Sequence, residues 1–390
     1  MKDQLVPELR FSEFEGEWER RTLNHFLSVI KTKNKDGKFK RNQVLSVAAE
    51  AGVVNQIEYH GRSYAGKSLL PYNVVEVGDL VYTKSPLKAY PYGIVKKNST
   101  KAGVVSTLYA VYRPKSTVSA TFVDYYFYLP SNANRYLKPL VNIGAKNDMK
   151  VNNATVLTGK VVYPTLPEQQ KIANFLSLVD QRLAVAQVKI EALEKWKSSI
   201  SNRLFTEINQ YDKIKLGTIS KMFSGGTPES TRRELYVGII PFIKSGEISQ
   251  TTTKYKISEE ALNQSSAKMV KEGDLLYALY GATSGETSIA KISGAINQAV
   301  LCIRSDCDTQ FLCQFLRYNK ERIVTKYLQG GQGNLSAKIV KSIKVPNLEK
   351  SEQTRIATIL TSIDARIAAA QKEVTGWENW KRGLLQKLLV

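Results

Sequence analysis

Between Pro167 and Phe205 the apolar residues recur in steps of alternately four and three. They are Ile172, Leu176, Val179, Leu183, Ala186, Ile190 and Leu193, then Ile200 and Leu204. This is the seven-residue period of a coiled-coil seam, with Lys197 at the one seam position that is not apolar. A helix of about 38 residues at 1.5 Å each is a rod of roughly 57 Å. A rod cannot bury its own stripe, so the pattern predicts a partner helix. A helix lying on its own neighbouring domain would show a broader apolar face.

The partner is in the same chain. From Glu352 to Leu389 a second seam runs through Ile356, Leu360, Ile363, Ile367, Ala370, Val374, Trp377, Leu384 and Leu388, broken at Lys381. A shift of 184 positions superimposes Glu168-Gln169 on Glu352-Gln353, Asp180 on Asp364, Arg182 on Arg366 and Trp196-Lys197 on Trp380-Lys381. Shared non-seam residues in register indicate an internal duplication.

The stretches before each helix share anchors as well. Gly78-Asp79-Leu80 resembles Gly273-Asp274-Leu275, and Val161 to Pro164 echoes Ile343 to Pro346, while the residues between diverge. The predicted organisation is an N-terminal lead (1–18), a first globular body (19–165), helix one (166–209), a second body (210–345) and helix two (346–390). Strand-like runs at 73–77, 79–83 and 103–112 and a helix-like aromatic run at 122–129 make the bodies α+β. Helix one ends where body two begins and helix two begins where it ends. Because domain termini tend to lie close together, the rods are expected to be antiparallel, with a body at each end and a pseudo-two-fold between them.

Length and a hydrophobic fraction of 43% suit a multidomain globular protein, but the net charge of +21 is unusual. Residues 19–165 carry 22 basic and 8 acidic side chains, and residues 210–345 carry 19 and 12. The helices are nearly neutral, with 6 basic against 5 acidic over 166–209 and 7 against 5 over 346–390. Two basic bodies on neutral rods point to a polyanion contacted at two places, not to a membrane surface, which would draw the charge onto the helices. Three cysteines without a CxxC pair, two histidines, no signal peptide and no long apolar run lead to the expectation of a cytoplasmic protein with no metal site and no membrane partner.

Gly61 to Ser68 fits the phosphate-cradling GxxxxGK[ST] pattern, but Pro71 and a strand-like run follow where a helix is required. An NTPase or nuclease at this segment is therefore the weaker alternative, and a non-specific nucleic-acid scaffold is another. No other catalytic signature occurs, and no catalytic residue is assigned. A DNA-binding surface is expected in body one from Lys31, Lys33, Lys35, Lys38, Lys40 and Arg41, with Lys84, Lys96, Lys97, Lys146 and Asn147. In body two the candidates are Ser224, Gly225, Gly226, Thr227, Lys244, Tyr280, Thr283, Ser284, Gln329, Gln332 and Asn334. Lysine and arginine meet phosphates, amides read base edges, and glycine lets backbone approach closely.

Val6 to Phe11 with Phe14 to Trp18, Pro167 to Ile172 (PEQQKI), Ser224 to Pro228 (SGGTP), and Gly281 to Gly285 (GATSG) with Asn297-Gln298 occur in this order over nearly the whole chain. In this combination the chain resembles the specificity subunit of type I restriction–modification systems. It departs from the pattern at the second helix entry, where Ser351 stands in place of proline. The resemblance implies two target-recognition domains that each read half of a split double-stranded DNA site. It further implies helices that act as a ruler and dock two adenine methyltransferase (modification) subunits, which restriction subunits then join. S-adenosylmethionine, ATP and Mg would sit on those partners, and none in this chain.

Overall fold

The computed structural model describes residues 6–143, 149–328 and 334–389. The first half starts with strands β1 (Glu19–Thr22) and β2 (Leu27–Ile30). It continues through β3 (Leu80–Thr83), β4 (Val95–Lys97), β5 (Tyr109–Pro114), helices α1 (Ala120–Tyr128) and α2 (Pro130–Leu137), and β6 (Lys160–Tyr163), and enters α3 (Leu166–Glu207). Strands β2, β5, β3 and β4 form an antiparallel sheet in that order, and β6 returns to pair with β1. The second half repeats the plan with β7 (Lys213–Lys215), β8 (Ser220–Ser224), β9 (Leu275–Ala278), β10 (Thr287–Ile289), β11 (Val300–Ser305), α4 (Thr309–Tyr318), α5 (Lys320–Leu328), β12 (Lys344–Pro346) and α6 (Lys350–Leu388). Its sheet runs β8, β11, β9, β10, and β12 pairs with β7. Both halves are α+β.

The aromatic run expected to be helical is α1. Ser119 Oγ caps it by accepting the Phe122 N–H, and Pro130 forbids its continuation. The run over 103–112 splits into Gly103–Val105 and β5, separated by a turn in which Tyr109 N–H donates to Ser106 O.

One turn is common to both halves. Gly78 and Gly273 each have φ +91°, a left-handed conformation that costs glycine little. The next residue, Asp79 or Asp274, accepts the N–H of Glu76 or Lys271 and takes a two-pronged guanidinium, from Arg113 on β5 or Arg304 on β11. Between the first and second sheet strands each half carries an insert, and the two inserts differ. The first holds the hairpin Leu45–Ala48/Gly52–Asn55, the short helix Gln56–His60, and the strand Asn73–Val75, which pairs with Gly103–Val105. The second contributes three strands to a sheet ordered Lys256–Ile257, Ile240–Ile243, Gly294–Ile296, Lys268–Val270, with a parallel pair in the middle.

The chain divides into two units, Met1–Ala186 with Glu373–Val390, and Gln187–Lys372. In the first, Ile172, Leu176 and Val179 of α3 share a core with Leu384 and Leu388 of α6 and with Trp18, Phe122 and Tyr163 of the body. In the second, Leu204 of α3 joins Ile356 and Leu360 of α6 with Leu216 and Phe311. Early turns of one helix thus meet late turns of the other, as expected of an antiparallel pair. Ile190, Ile363 and Ile367 are buried, and Leu183, Leu193, Ile200, Val374 and Trp377 are half-buried. Each seam lysine meets a carboxylate, Lys381 Nζ lying 2.6 Å from Asp180 and Lys197 Nζ 2.6 Å from Asp364.

The repeated glutamine at the helix entries has a structural cause, whereas the glutamate before it plays different parts, Glu352 pairing with Arg355 one turn on. Gln169 is buried, donates to Pro164 O (2.9 Å) and accepts the Ser119 N–H (3.0 Å). Gln353 does the same with Leu348 O (2.9 Å) and the Asp308 N–H (2.7 Å), so the missing proline leaves the second entry equally anchored. Glu168, 2% exposed, accepts Arg10 Nε and Nη2, each at 2.8 Å, and Trp18 Nε1 at 3.2 Å. The N-terminal lead that supplies Arg10 is tied to the end of α6, with Leu9 N–H donating to Lys387 O and Lys387 Nζ meeting Glu8.

Candidate nucleic-acid interface

In the second unit several loops, distant in sequence, converge. Gly225 N–H donates to Asn297 O, Thr227 Oγ1 donates to Gln298 Oε1 (2.5 Å), and Asn297 N–H donates to Ile243 O beside Lys244. The turn Ser245–Glu247 packs against the turn Gly281–Thr283. Leu335 N–H donates to Leu279 O, which brings the exposed Asn334 beside Tyr280. The Lys244 ammonium sits 4.2 Å from the centre of the Tyr255 ring. The result is one cluster carrying a cation, exposed Thr227 and Asn334, and half-buried Tyr280 and Thr283. Such a mix of charge and hydrogen-bonding groups suits phosphate and base-edge contacts.

Some expected contact residues build these loops instead. A Cβ on Gly225 would overlap the Ile296 carbonyl, and one on Gly226 would lie 2.6 Å from Ser266 Cβ. Ser284 is buried and donates to Leu279 O (3.0 Å). These positions shape the cluster. Gln329 and Gln332 lie outside the described residues.

In the first unit Lys31, Lys35, Lys38, Lys40 and Arg41 are exposed on the insert. Lys33 is held by Asn73 Oδ1 (2.7 Å), and Arg41 donates to Ala65 O and Gly66 O, fastening the loop that follows the short helix. Lys84 is half-buried, and burial pulls its ammonium below the usual lysine range. One expected contact is corrected, and a second is already engaged. Lys96 is 3% exposed, its ammonium 4.6 Å from the centre of the Tyr128 ring, where desolvation lowers its pKa. Lys97 is spent on α1, donating through its backbone N–H to Asp124 and through Nζ to Thr121 Oγ1. Both sit on β4 against α1, so they are part of the body's packing. Lys146 and Asn147 lie outside the described residues.

The segment fitting the P-loop spacing has neither the required strand before it nor a helix after it. It follows the helix Gln56–His60, and the next named element is the strand Asn73–Val75. Three backbone donors in its middle are taken within the fold: Tyr64 N–H by Gln56 Oε1, Ala65 N–H by Ser63 Oγ and Gly66 N–H by Tyr72 OH. This segment instead presents side chains that sequence reasoning passed over. Tyr59 and Tyr64 are 52% and 58% exposed, His60 meets both edge-on, and the Arg62 guanidinium lies 4.9 Å from the centre of the Tyr64 ring. Beside them opens a cleft of about 660 Å³ lined by Asn42, Gln43, Asn55, Tyr59 and Lys101 among others. The available signal was the interleaving of aromatic and basic residues from Tyr59 to Lys67. Aromatic faces and cations together are a nucleic-acid-binding combination.

Among the described residues no group of three or more His, Cys, Asp or Glu could hold a metal ion, and no helix is long and apolar enough to cross a membrane.

Comparison with known proteins identifies the family. The chain is 27% identical over 272 residues to a protein of Methanocaldococcus jannaschii named as the specificity subunit of type I restriction enzyme MjaX, covering 63% of this chain and 62% of that one. It is 26% identical over 260 residues to the MjaVIII specificity subunit of the same organism, 59% and 61% of the two chains. It therefore spans about six tenths of the length of these curated relatives. In fold it is similar to the crystal structure of a type I restriction–modification S subunit from M. genitalium, with a TM-score of 0.64 at 17% identity over 99% of both chains. The family described as type I restriction modification DNA specificity domain matches twice, at residues 15–195 and 209–375. With one match on each half of the duplication, the chain belongs to the type I restriction–modification DNA specificity family.

Proposed function

We propose that this chain is the DNA-reading subunit of a type I restriction–modification assembly and that it has no catalytic centre of its own. Each half applies its insert to the same duplex and reads one half-site. The observation that carries this reading is the duplication itself: two scaffolds with the same strand order, each matched by the family, hold unlike inserts. Unlike inserts predict unlike half-sites. Because α3 and α6 both continue from one unit into the other, they are the natural ruler for the unread gap.

The partners are modification subunits, which would bind S-adenosylmethionine and methylate a flipped adenine, and restriction subunits, which would supply the ATP- and Mg-dependent steps. Exposed apolar side chains on the long helices offer footholds for docking: Leu178, Val185 and Trp380 in the first unit, Val188 and Trp196 in the second. Mapping methylated adenines in cells that express the complete complex tests the reading. The expected result is two different short sequences at a fixed separation. A single contiguous motif, or methylation without sequence preference, would overturn it.

A further inference from the structure

In each unit one aspartate ties three elements together. Asp180, on α3, accepts Lys381 Nζ from α6 on Oδ1 (2.6 Å) and the Tyr125 hydroxyl from α1 of the body on Oδ2 (2.7 Å). Asp364, on α6, accepts Lys197 Nζ from α3 on Oδ1 (2.6 Å) and Gln314 Nε2 from α4 of the body on Oδ2 (2.6 Å). Tyr125 and Gln314 occupy the same place, each six residues after its helix cap, Ser119 or Asp308. One carboxylate oxygen therefore holds the opposite long helix and the other holds the body.

We propose that Asp180 and Asp364 are positioning residues for DNA reading, each carboxylate fixing the pitch of its recognition body on the paired helices and thereby the sharpness with which the gap between half-sites is measured. This rests on the function proposed above.

Two physical arguments favour positioning over plain stabilisation. The carboxylates of Asp180 and Asp364 are 39% and 32% exposed, and water at that side of each pair limits what the pair adds to stability. A polar residue at a seam position, by contrast, fixes register, because slippage strands it among apolar neighbours, and Lys197 and Lys381 are the seam's polar interruptions. The hydrogen bond from the body adds a direction that apolar packing lacks.

The two joints are built to different stiffness. In the first, the Lys381 ammonium lies 4.3 Å from the centre of the Tyr128 ring, and Lys96 lies 4.6 Å from the same centre. Tyr128, nine residues after the cap Ser119, has Arg317 as its counterpart nine after Asp308, and Arg317 Nη1 stands 3.8 Å from Asp364. Lys381 is 10% exposed and Lys197 23%, so the first joint is the drier one.

The test uses the full chain with its modification subunits and maps adenine methylation in cells. For Asp180→Ala the half-site sequences should persist, while the ratio of methylation at the native gap to that at gaps one base pair longer or shorter falls by about tenfold, equivalent to about 1.4 kcal/mol. Asp180→Lys with Lys381→Asp should recover much of the loss. Tyr125→Phe removes only the body's hydrogen bond and decides the matter if Asp180→Ala does not accumulate: it should broaden the gap in the same sense. A uniform drop in methylation with the gap unchanged in both variants would overturn the inference while leaving the proposed function intact. A wild-type chain that yields no two-part motif would overturn the function, and the inference with it.

Discussion

Replacing Arg10 by alanine should destabilise the first unit far more than its place in the N-terminal lead suggests. The Glu168 carboxylate is 2% exposed, and its three side-chain partners are the two guanidinium nitrogens of Arg10 and the indole of Trp18. In Arg10→Ala only Trp18 remains, and a buried charge loses its counter-ion. Losing one partner of a buried pair costs about 3–5 kcal/mol, and the lower end applies because the Arg10 side chain is 16% exposed and water can partly replace it. For a unit of this size about 3 kcal/mol lowers Tm by roughly 6–12 °C. Arg10→Met with Glu168→Met removes both charges and should recover most of that loss. Thermal unfolding of the full chain and its variants, followed by calorimetry to resolve the two units, supplies the measurement. A loss below about 1 kcal/mol for Arg10→Ala, at the level of an exposed pair, would refute the reasoning. So would a double variant no better than the single.

Three further outcomes are expected. Burial raises the Asp124 pKa above its ordinary value, so the advantage of wild type over Asp124→Asn should be fully present below the unfolded carboxylate pKa of about 3.9 and be lost as pH rises through the folded value; urea melts of both proteins at several pH values check the sign. Gly225→Ala should cost about 3 kcal/mol or more and appear as unfolding of the second unit, whereas Thr227→Ala, at an exposed site, should leave Tm nearly unchanged and weaken DNA binding; equal effects on Tm would contradict the placement. Inserting seven residues into α3 and seven into α6 preserves the seam period and should lengthen the gap of the methylation motif while leaving both half-sites unchanged; altered half-sites would rule out the ruler.

The helices were legible because an apolar stripe of seven-residue period runs their whole length, and the duplicated Glu-Gln and Asp–Lys positions marked contacts before their partners were known; that the ends of the stripe also pack on the bodies was not visible in the period. The interface was harder to read. Lys96 and Lys97 look in sequence like a surface pair, but β4 lies under α1, and alternation on a strand buried on both sides gives no warning. Gly225 and Gly226 lie in a motif-like loop, and only a three-dimensional neighbour, the Ile296 carbonyl or Ser266, shows that they permit packing. Tyr59 and Tyr64 were obscured by a spacing that mimics a phosphate loop. Their exposure comes from a short helix whose end is set by Gly61 at φ +73° and by Arg41 gripping the following backbone.

The twin clasp of Asp79 on Arg113 and Asp274 on Arg304 sits where each insert rejoins its sheet. It acts as a standard fitting: whatever chain is spliced between the first two sheet strands, the strand that receives it is pinned to the same neighbour by the same two prongs. Novelty in what is read can then accumulate in the interchangeable part, and the mounting stays as it was.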